Sequence, residues 1–250
     1  MERHFDQELK GLKDRILYMG SIVEGMIHAA VKVLMDRDLG PTQEIFKQEE
    51  DVNQLHIELD DRCLKLIALH QPTAQDLRFI TAAMKINSDL ERMGDQAVNV
   101  AENVQELMKE KQEIPAPVQL RHMTEVVKEM LRASLDAFVR RDAVLAQSII
   151  KQDDRVDAYK QQIFDALLAV MRKKPKAAKQ AMDFILIARN LERLGDHATN
   201  VAEDVVFMVL GKDIRHYAGA PSPPPPESLR RPGAEVATKA EPSTEPQTAV

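Results

Sequence analysis

The chain has no tryptophan, one cysteine and only nine glycines, and Phe, Trp and Tyr together supply 4% of its residues. Strand-rich sandwiches and barrels lean on aromatic and β-branched side chains and on glycine-rich turns, so these shortages point to helices. Cys63, being alone, closes no internal disulfide, which fits a reducing compartment. No apolar run approaches the roughly 20 residues that a spanning helix needs, and the charged N-terminus (MERHFDQELKGLKDR) is unlike a secretion signal. The expected location is therefore the cytoplasm. Basic charge is also in short supply: the net charge is −6, and no basic stripe interleaved with aromatics argues for nucleic acid as a partner.

Catalytic equipment is missing in the same way. No histidine has a glutamate three positions before it, as ferritin-like di-iron bundles need, and there is neither a Walker loop nor a Gly-x-Ser-x-Gly elbow. An enzyme is not expected. One catalytic class stays open, metal-assisted phosphoester hydrolysis, because clustered acids can hold two metals and an open coordination position.

What the sequence does contain is 44% hydrophobic residues over 250 positions, enough for a sizeable core. Eight of the 13 prolines fall after Tyr217, in a stretch rich in Ala, Ser, Thr and Glu that reads as a disordered tail over 218–250. Pro41, Pro72, Pro115, Pro117 and Pro175 stand between long amphipathic segments, where a missing N–H is harmless at a helix start. With a further break at Arg140-Arg141-Asp142, the pattern predicts six helices over 6–37, 42–70, 73–112, 117–140, 142–172 and 176–211.

An internal repeat then organises the chain. Leu90-Glu91-Arg92-Met93-Gly94-Asp95 recurs as Leu191-Glu192-Arg193-Leu194-Gly195-Asp196, and Asn-Val-Ala-Glu follows both, at 99–102 and 200–203. A weaker match aligns Lys47 to Asn53 with Lys151 to Asp157. The expected fold is all-α, two similar antiparallel three-helix bundles over 1–112 and 117–217, each burying the apolar stripes of its own helices.

At about 100° per residue, Glu91, Asp95 and Glu102 fall within about 40° of each other on the third helix, at the edge of its packing face. Glu192, Asp196 and Glu203 repeat the arrangement, and Asp153 and Asp157 supply a facing pair from the preceding helix, in line with Ala146, Ile149 and Phe164. In the first half the corresponding pair is Glu49 and Asn53, one charge fewer. Clustered carboxylates beside a core are costly unless protons or cations neutralise them. Metal is the natural partner, and oxygen donors suit hard cations such as Mg, Mn or ferric iron. The plain alternative is that Arg92 and Arg193 neutralise their neighbours in helix-surface ion pairs, that Glu102 and Glu203 are rim charges, and that His56 and His197 are polar surface rather than ligands. Cys63 reads as a small core residue and the methionines as core filling. Gly94 and Gly195, each costing about 1 kcal/mol in a helix interior, imply close backbone approach at a crossing.

Gln71-Pro72-Thr73-Ala74-Gln75-Asp76-Leu77-Arg78, the doubled Leu-Glu-Arg-hydrophobic-Gly-Asp and the closing Gly211-Lys212-Asp213-Ile214-Arg215-His216 resemble the PhoU family over residues 1 to about 218. The resemblance implies a negative regulator of the phosphate-starvation response and a modulator of phosphate uptake. It also implies an adaptor, a homodimer, that links the phosphate ABC transporter ATPase to a sensor histidine kinase and reaches the membrane only through such partners. It further implies multinuclear iron or zinc clusters on Glu91 and Asp95, Glu192 and Asp196, and Asp153 and Asp157, with Glu49 and Asn53 as an imperfect fourth pair. A metal-dependent phosphohydrolase and a metal-storage bundle are the competing readings.

Overall fold

The computed structural model describes residues 4–109 and 114–214, and it is helical throughout apart from short connections. The helices are α1 (His4–Asp36), α2 (Thr42–His70), α3 (Ala74–Met108), α4 (Val118–Arg140), α5 (Ala143–Ile150), α6 (Asp153–Lys173) and α7 (Ala178–Leu210), with a 3₁₀ turn at Pro175–Ala177 before α7. The expected tail from 218 to 250, the positions 110–113 at the end of the third predicted helix, and Arg215 and His216 of the closing motif lie outside the described residues.

Local chemistry sets most boundaries. Pro41 precedes α2 and Pro117 precedes α4. Helix α2 ends where Gln71 turns left-handed (φ 44°), its N–H donating back to Ile67 O, and Pro72 follows. Helix α4 ends in the same way at Arg141 (φ 54°), and the Asp142 carboxylate then accepts from Val144 N and Leu145 N, both at 2.9 Å, to cap α5.

One predicted helix is divided. The segment expected as a single helix over 142–172 breaks at Lys151-Gln152 into α5 and α6. Gln152 N donates to Ile149 O and Arg155 N to Gln152 O, so the chain turns here and restarts with Asp153 and Asp154 in the first turn of α6. Ala146 and Ile149 are buried on α5, and they therefore do not continue the stripe of Asp153 and Asp157 as a straight helix requires.

Within the first half, α2 runs antiparallel to its neighbours: Glu58 pairs with Arg15 and Glu8 with His70, while Asn87 Nδ2 donates to His56 O at 2.9 Å. In the second half α4, α5 and α6 pack on α7. The halves join along two antiparallel seams. Between α1 and α4, Lys13 Nζ donates to Val139 O, Arg132 pairs with Glu24, and Lys128 Nζ lies 3.3 Å from His28 Nδ1. The more extensive seam is α3 against α7, where Arg78 reaches Met208 O, Lys85 pairs with Asp204 at 3.2 Å, and Asp89 accepts from Asn200 Nδ2 at 3.1 Å beside His197 Nδ1 at 2.9 Å. The result is a pair of three-helix groups, with α5 as an extra short helix, whose first and third long helices face each other while α2 and α6 lie outside.

The core fills these interfaces with Leu, Ile, Val, Ala and Met; Met19, Met26, Met93, Met123 and Met130 are fully buried, as core filling requires. Cys63 is also fully buried, and burial pushes its thiol up to about 12, so it is a small apolar filler and no nucleophile. Helix α1 departs from one expectation, since by length and composition it is apolar enough to cross a membrane. Half of that stretch is buried, and α1 packs on α2, α3 and α4.

Phe79 of α3 and Phe138 of α4 stack across the two halves, with ring centroids 5.3 Å apart and planes at 12°. Replacing the fully buried Phe138 by alanine should cost about 3–5 kcal/mol. Because both halves share this contact, urea unfolding of Phe138→Ala followed by circular dichroism should keep a single transition at a lower midpoint; two separated transitions would show that the halves unfold independently.

Candidate functional site

The site grows out of two helix crossings. Gly195 of α7 faces Val156 of α6, and a Cβ placed on it would lie 3.2 Å from Val156 Cγ1 and 3.6 Å from Asp153 Oδ1. Gly94 of α3 faces Val52 of α2 in the same manner, at 3.3 Å from Val52 Cγ1. The glycines are thus the points of close approach that their cost in a helix calls for. Val52 lies between Glu49 and Asn53, and Val156 between Asp153 and Asp157, so each crossing carries an i, i+4 pair on one helix to the Glu/Asp pair flanking the glycine on the other.

In the second half the four residues form one electrostatic cluster. The Asp196 carboxyl is pushed up to about 6, first by burial and then by the charges of Glu192, Asp153 and Asp157, with His197 opposing. Asp153 is raised for the same reasons, burial first and then Asp157 and Glu192. Lys160, one turn beyond Asp157 on α6, donates to Asp157 Oδ1 at 2.7 Å and to Glu192 Oε1 at 2.8 Å, and these bonds hold its ammonium charged. Sequence reading passed over Lys160; its i, i+3 spacing from Asp157 was the available signal.

The first half carries one charge fewer. Asn53 Nδ2 donates to Glu49 Oε1 along α2, so the amide turns to its own helix and occupies a carboxylate oxygen. Glu91 is partly buried and Asp95 exposed, as Glu192 and Asp196 are in the second half.

The other candidates go elsewhere. His56 stands 3.8 Å from Asp60 on its own helix, and His197 faces Asp89 across the seam between the halves. Arg92 and Arg193 make no ion pair among the described residues, so Lys160 rather than the arginine of the repeated motif neutralises acids in the second half.

The chemistry of the second-half donor set fits a hard cation: it is all oxygen, with Asp153 and Glu192 partly buried and Asp157 and Asp196 exposed, and the raised Asp153 and Asp196 carboxyls reflect burial first and mutual repulsion second. Geometry is less complete, for among the described residues no three His, Cys, Asp or Glu side chains stand where they could hold an ion together.

Two segments of the chain, residues 16–104 and 120–205, match the PhoU domain. The phosphate-specific transport system accessory protein PhoU homolog of Pseudomonas aeruginosa is 37% identical over 216 residues, covering 86% of this chain and 89% of that protein. The protein of the same description from Aquifex aeolicus is 36% identical over 210 residues, 84% of this chain and 95% of that one. Among solved structures, PhoU from Pseudomonas aeruginosa superimposes with a TM-score of 0.80 at 36% identity, over 84% of this chain and all of the other. The phosphate transport system regulatory protein PhoU from Streptococcus pneumoniae gives 0.79 at 29% identity, over 84% of this chain and 99% of the other.

The cluster makes a pH-dependent stability. Asp196 binds its proton more tightly folded, at about 6, than unfolded, near 3.8, so folding loses stability as pH rises between those values and stays penalised above. Half-exposure screens the effect to about 1 kcal/mol. In metal-free protein Asp196→Asn should therefore raise the melting temperature at pH 7 and leave it unchanged below pH 4; equal melting of the two forms at pH 7 would show that neither burial nor the neighbouring charges penalise the Asp196 carboxylate.

Proposed function

Because this chain belongs to the PhoU domain family, we propose that it is a regulator of the phosphate response that works as a metal-binding adaptor between the phosphate ABC transporter ATPase and a sensor histidine kinase. Family membership carries the regulatory role in its general form; the mechanism is our reading. The observation that supports it is the carboxylate cluster where α6 crosses α7, repeated with one acid fewer where α2 crosses α3.

A regulator of this kind needs surfaces that partners can grip and a charge state that can change. Rigid long helices supply the first. The second follows from the cluster: Glu192, Asp196, Asp153 and Asp157 would hold metal ions, iron or zinc by family resemblance and Mg or Mn by donor type. Bound metal would supply local positive charge on an acidic protein, able to attract a carboxylate or phosphate of a partner. Glu91, Asp95 and Glu49 would form the weaker counterpart, since Asn53 brings no charge. We place the working protein in the cytoplasm as a homodimer, with membrane contact only through its partners. Its relatives carry accessory and regulatory descriptions, and we read this chain as non-catalytic in the same way.

The test is alkaline phosphatase activity in phosphate-rich medium after gene deletion. Activity should rise, return to the low level with the wild-type gene, and stay high with Glu91→Ala/Asp95→Ala/Glu192→Ala/Asp196→Ala. Restoration by both would keep the regulator and remove the carboxylates from its mechanism; no rise on deletion would defeat the reading. In equilibrium dialysis against zinc or manganese, Glu192→Ala/Asp196→Ala should lose more bound metal than Glu91→Ala/Asp95→Ala, because the second half brings four carboxylates and the first three; equal losses would count against the unequal sites.

A further inference from the structure

At the second crossing the carboxylates already hold a cation that belongs to the chain. Lys160 Nζ lies 2.7 Å from Asp157 Oδ1 on its own helix and 2.8 Å from Glu192 Oε1 on α7, so one ammonium bridges an acid from each side of the Val156–Gly195 contact. It makes no ion pair with Asp153 or Asp196, the two acids whose carboxyls are raised. The four acids thus fall into a pair that is neutralised from within and a pair that is not. Neither Arg155 nor Arg193 makes an ion pair among the described residues, and His197, whose charge also favours the Asp196 carboxylate, faces Asp89.

The first crossing has no such bridge. Aligning Val52 with Val156 puts His56 in the place of Lys160, and its imidazole stands 3.8 Å from Asp60 on its own helix. Glu49, Glu91 and Asp95 make no ion pair among the described residues, and Glu49 accepts from the Asn53 amide instead. The Val–Gly contact therefore forms without a bridging ammonium. Lys160 goes together with the fourth acid: where the first half has Asn53 and His56, the second has Asp157 and Lys160.

We propose that Lys160 is a built-in counter-cation that competes with metal for the second-half carboxylates, so that this site takes up an ion in response to metal concentration and keeps its crossing neutralised without one. An ion that takes oxygens of Asp157 and Glu192 must either displace the ammonium or sit beside it. A divalent ion and an ammonium about 5 Å apart repel enough, even at the dielectric constant of water, to weaken binding about tenfold. The ammonium has room to leave, because Lys160 and Glu192 line a cleft of about 350 Å³ between α6 and α7. By linkage, metal loosens the hold on Lys160 by the same factor by which Lys160 loosens metal. The inference rests on the metal-binding reading of this site and concerns only how much metal is needed to fill it; with metal in excess the four carboxylates still outnumber the three of the first half.

The test isolates the second half by working in Glu91→Ala/Asp95→Ala protein, stripped of metal and titrated calorimetrically with manganese and, separately, with zinc. Adding Lys160→Met, which keeps the reach of the side chain without its charge, should tighten binding of whichever ion binds by at least about tenfold. Lys160→Arg, which keeps the charge, should leave the affinity as it was. In metal-free protein Lys160→Met should also melt lower than its parent at low ionic strength, with the difference shrinking in about 1 M salt. If Lys160→Met does not melt cooperatively, Lys160→Gln replaces it and is judged by the same rule. Unchanged or weaker metal binding on removal of the charge overturns the competition and leaves the metal reading standing, and equal tightening by Lys160→Arg overturns it too, since charge is then not the cause. Binding of neither ion by the parent or by Lys160→Met overturns the metal reading of the second half, and this inference with it.

Discussion

Both carboxylate clusters of this molecule depend on how closely two outer helices approach two inner ones. At Val52–Gly94 and Val156–Gly195 the absence of a side chain lets a valine sit almost against the neighbouring backbone. That distance brings carboxylates from separate helices within range of each other's charge, so the raised Asp153 and Asp196 carboxyls of the second half are consequences of packing as much as of composition. A glycine costs helix stability wherever it stands in a helix interior. Here the cost is met by burial on both sides, since Val52, Val156, Met93 and Leu194 are all buried at the crossings. The site is therefore stable only as part of the core beneath it.

A second constraint fixes how the halves meet. Hydrophobic burial drives α3 onto α7, but apolar surfaces alone tolerate sliding by a turn. The polar contacts do not. Asp204 is 1% exposed and is paired with Lys85, whose ammonium also lies 5.0 Å from the centre of the Phe207 ring; Asp89 is matched to His197 and Asn200. Shifting the register would part a buried carboxylate from its cation, which costs far more than an exposed pair is worth. These contacts hold the relative position of the two crossings, and with it the placement of both carboxylate sets.

Much of this was legible in the sequence, for identifiable reasons. The helices were readable because prolines stand between the amphipathic segments, and the doubled fold because Leu-Glu-Arg-hydrophobic-Gly-Asp occurs twice. The four second-half acids were readable as a set because their spacing puts them on facing stripes. The break between α5 and α6 was hidden, since Lys151-Gln152 contains neither proline nor glycine and the apolar pattern runs on through Ala146, Ile149, Val156 and Ile163; the turn is made by backbone bonds to Ile149 and Gln152. The roles of His56 and His197 were hidden too. Both read as polar surface in the sequence, and only the fold shows that His197 faces Asp89 on another helix. Lys160 was hidden because its partners come from two helices, Asp157 on its own and Glu192 on the next.

A repeat protein also carries its own reference state. Where two copies of one architecture bear the same residue, the fold is sufficient reason for it, as with Gly94 and Gly195. Where they differ, the crossing itself does not decide the residue, and each copy's own contacts supply part of the reason, as Lys85 pairs with Asp204 and Asp60 accepts from Asn87. Asn53 against Asp157 alters charge at a crossing while leaving the Val–Gly contact intact. Phe164 against Asp60 and Leu186 against Lys85 change which positions carry exposed apolar side chains, as Ile57, Leu64 and Leu69 do on α2. Of the two crossings, the second half bears the fuller set of carboxylates. Arg193 and Asp196 lie three residues apart on the exposed side of α7, within reach of one another along one helix face. A change of charge at the carboxylates therefore acts first on one edge of α7, where Asp196 faces the acids of α6 and Arg193 stands one turn away.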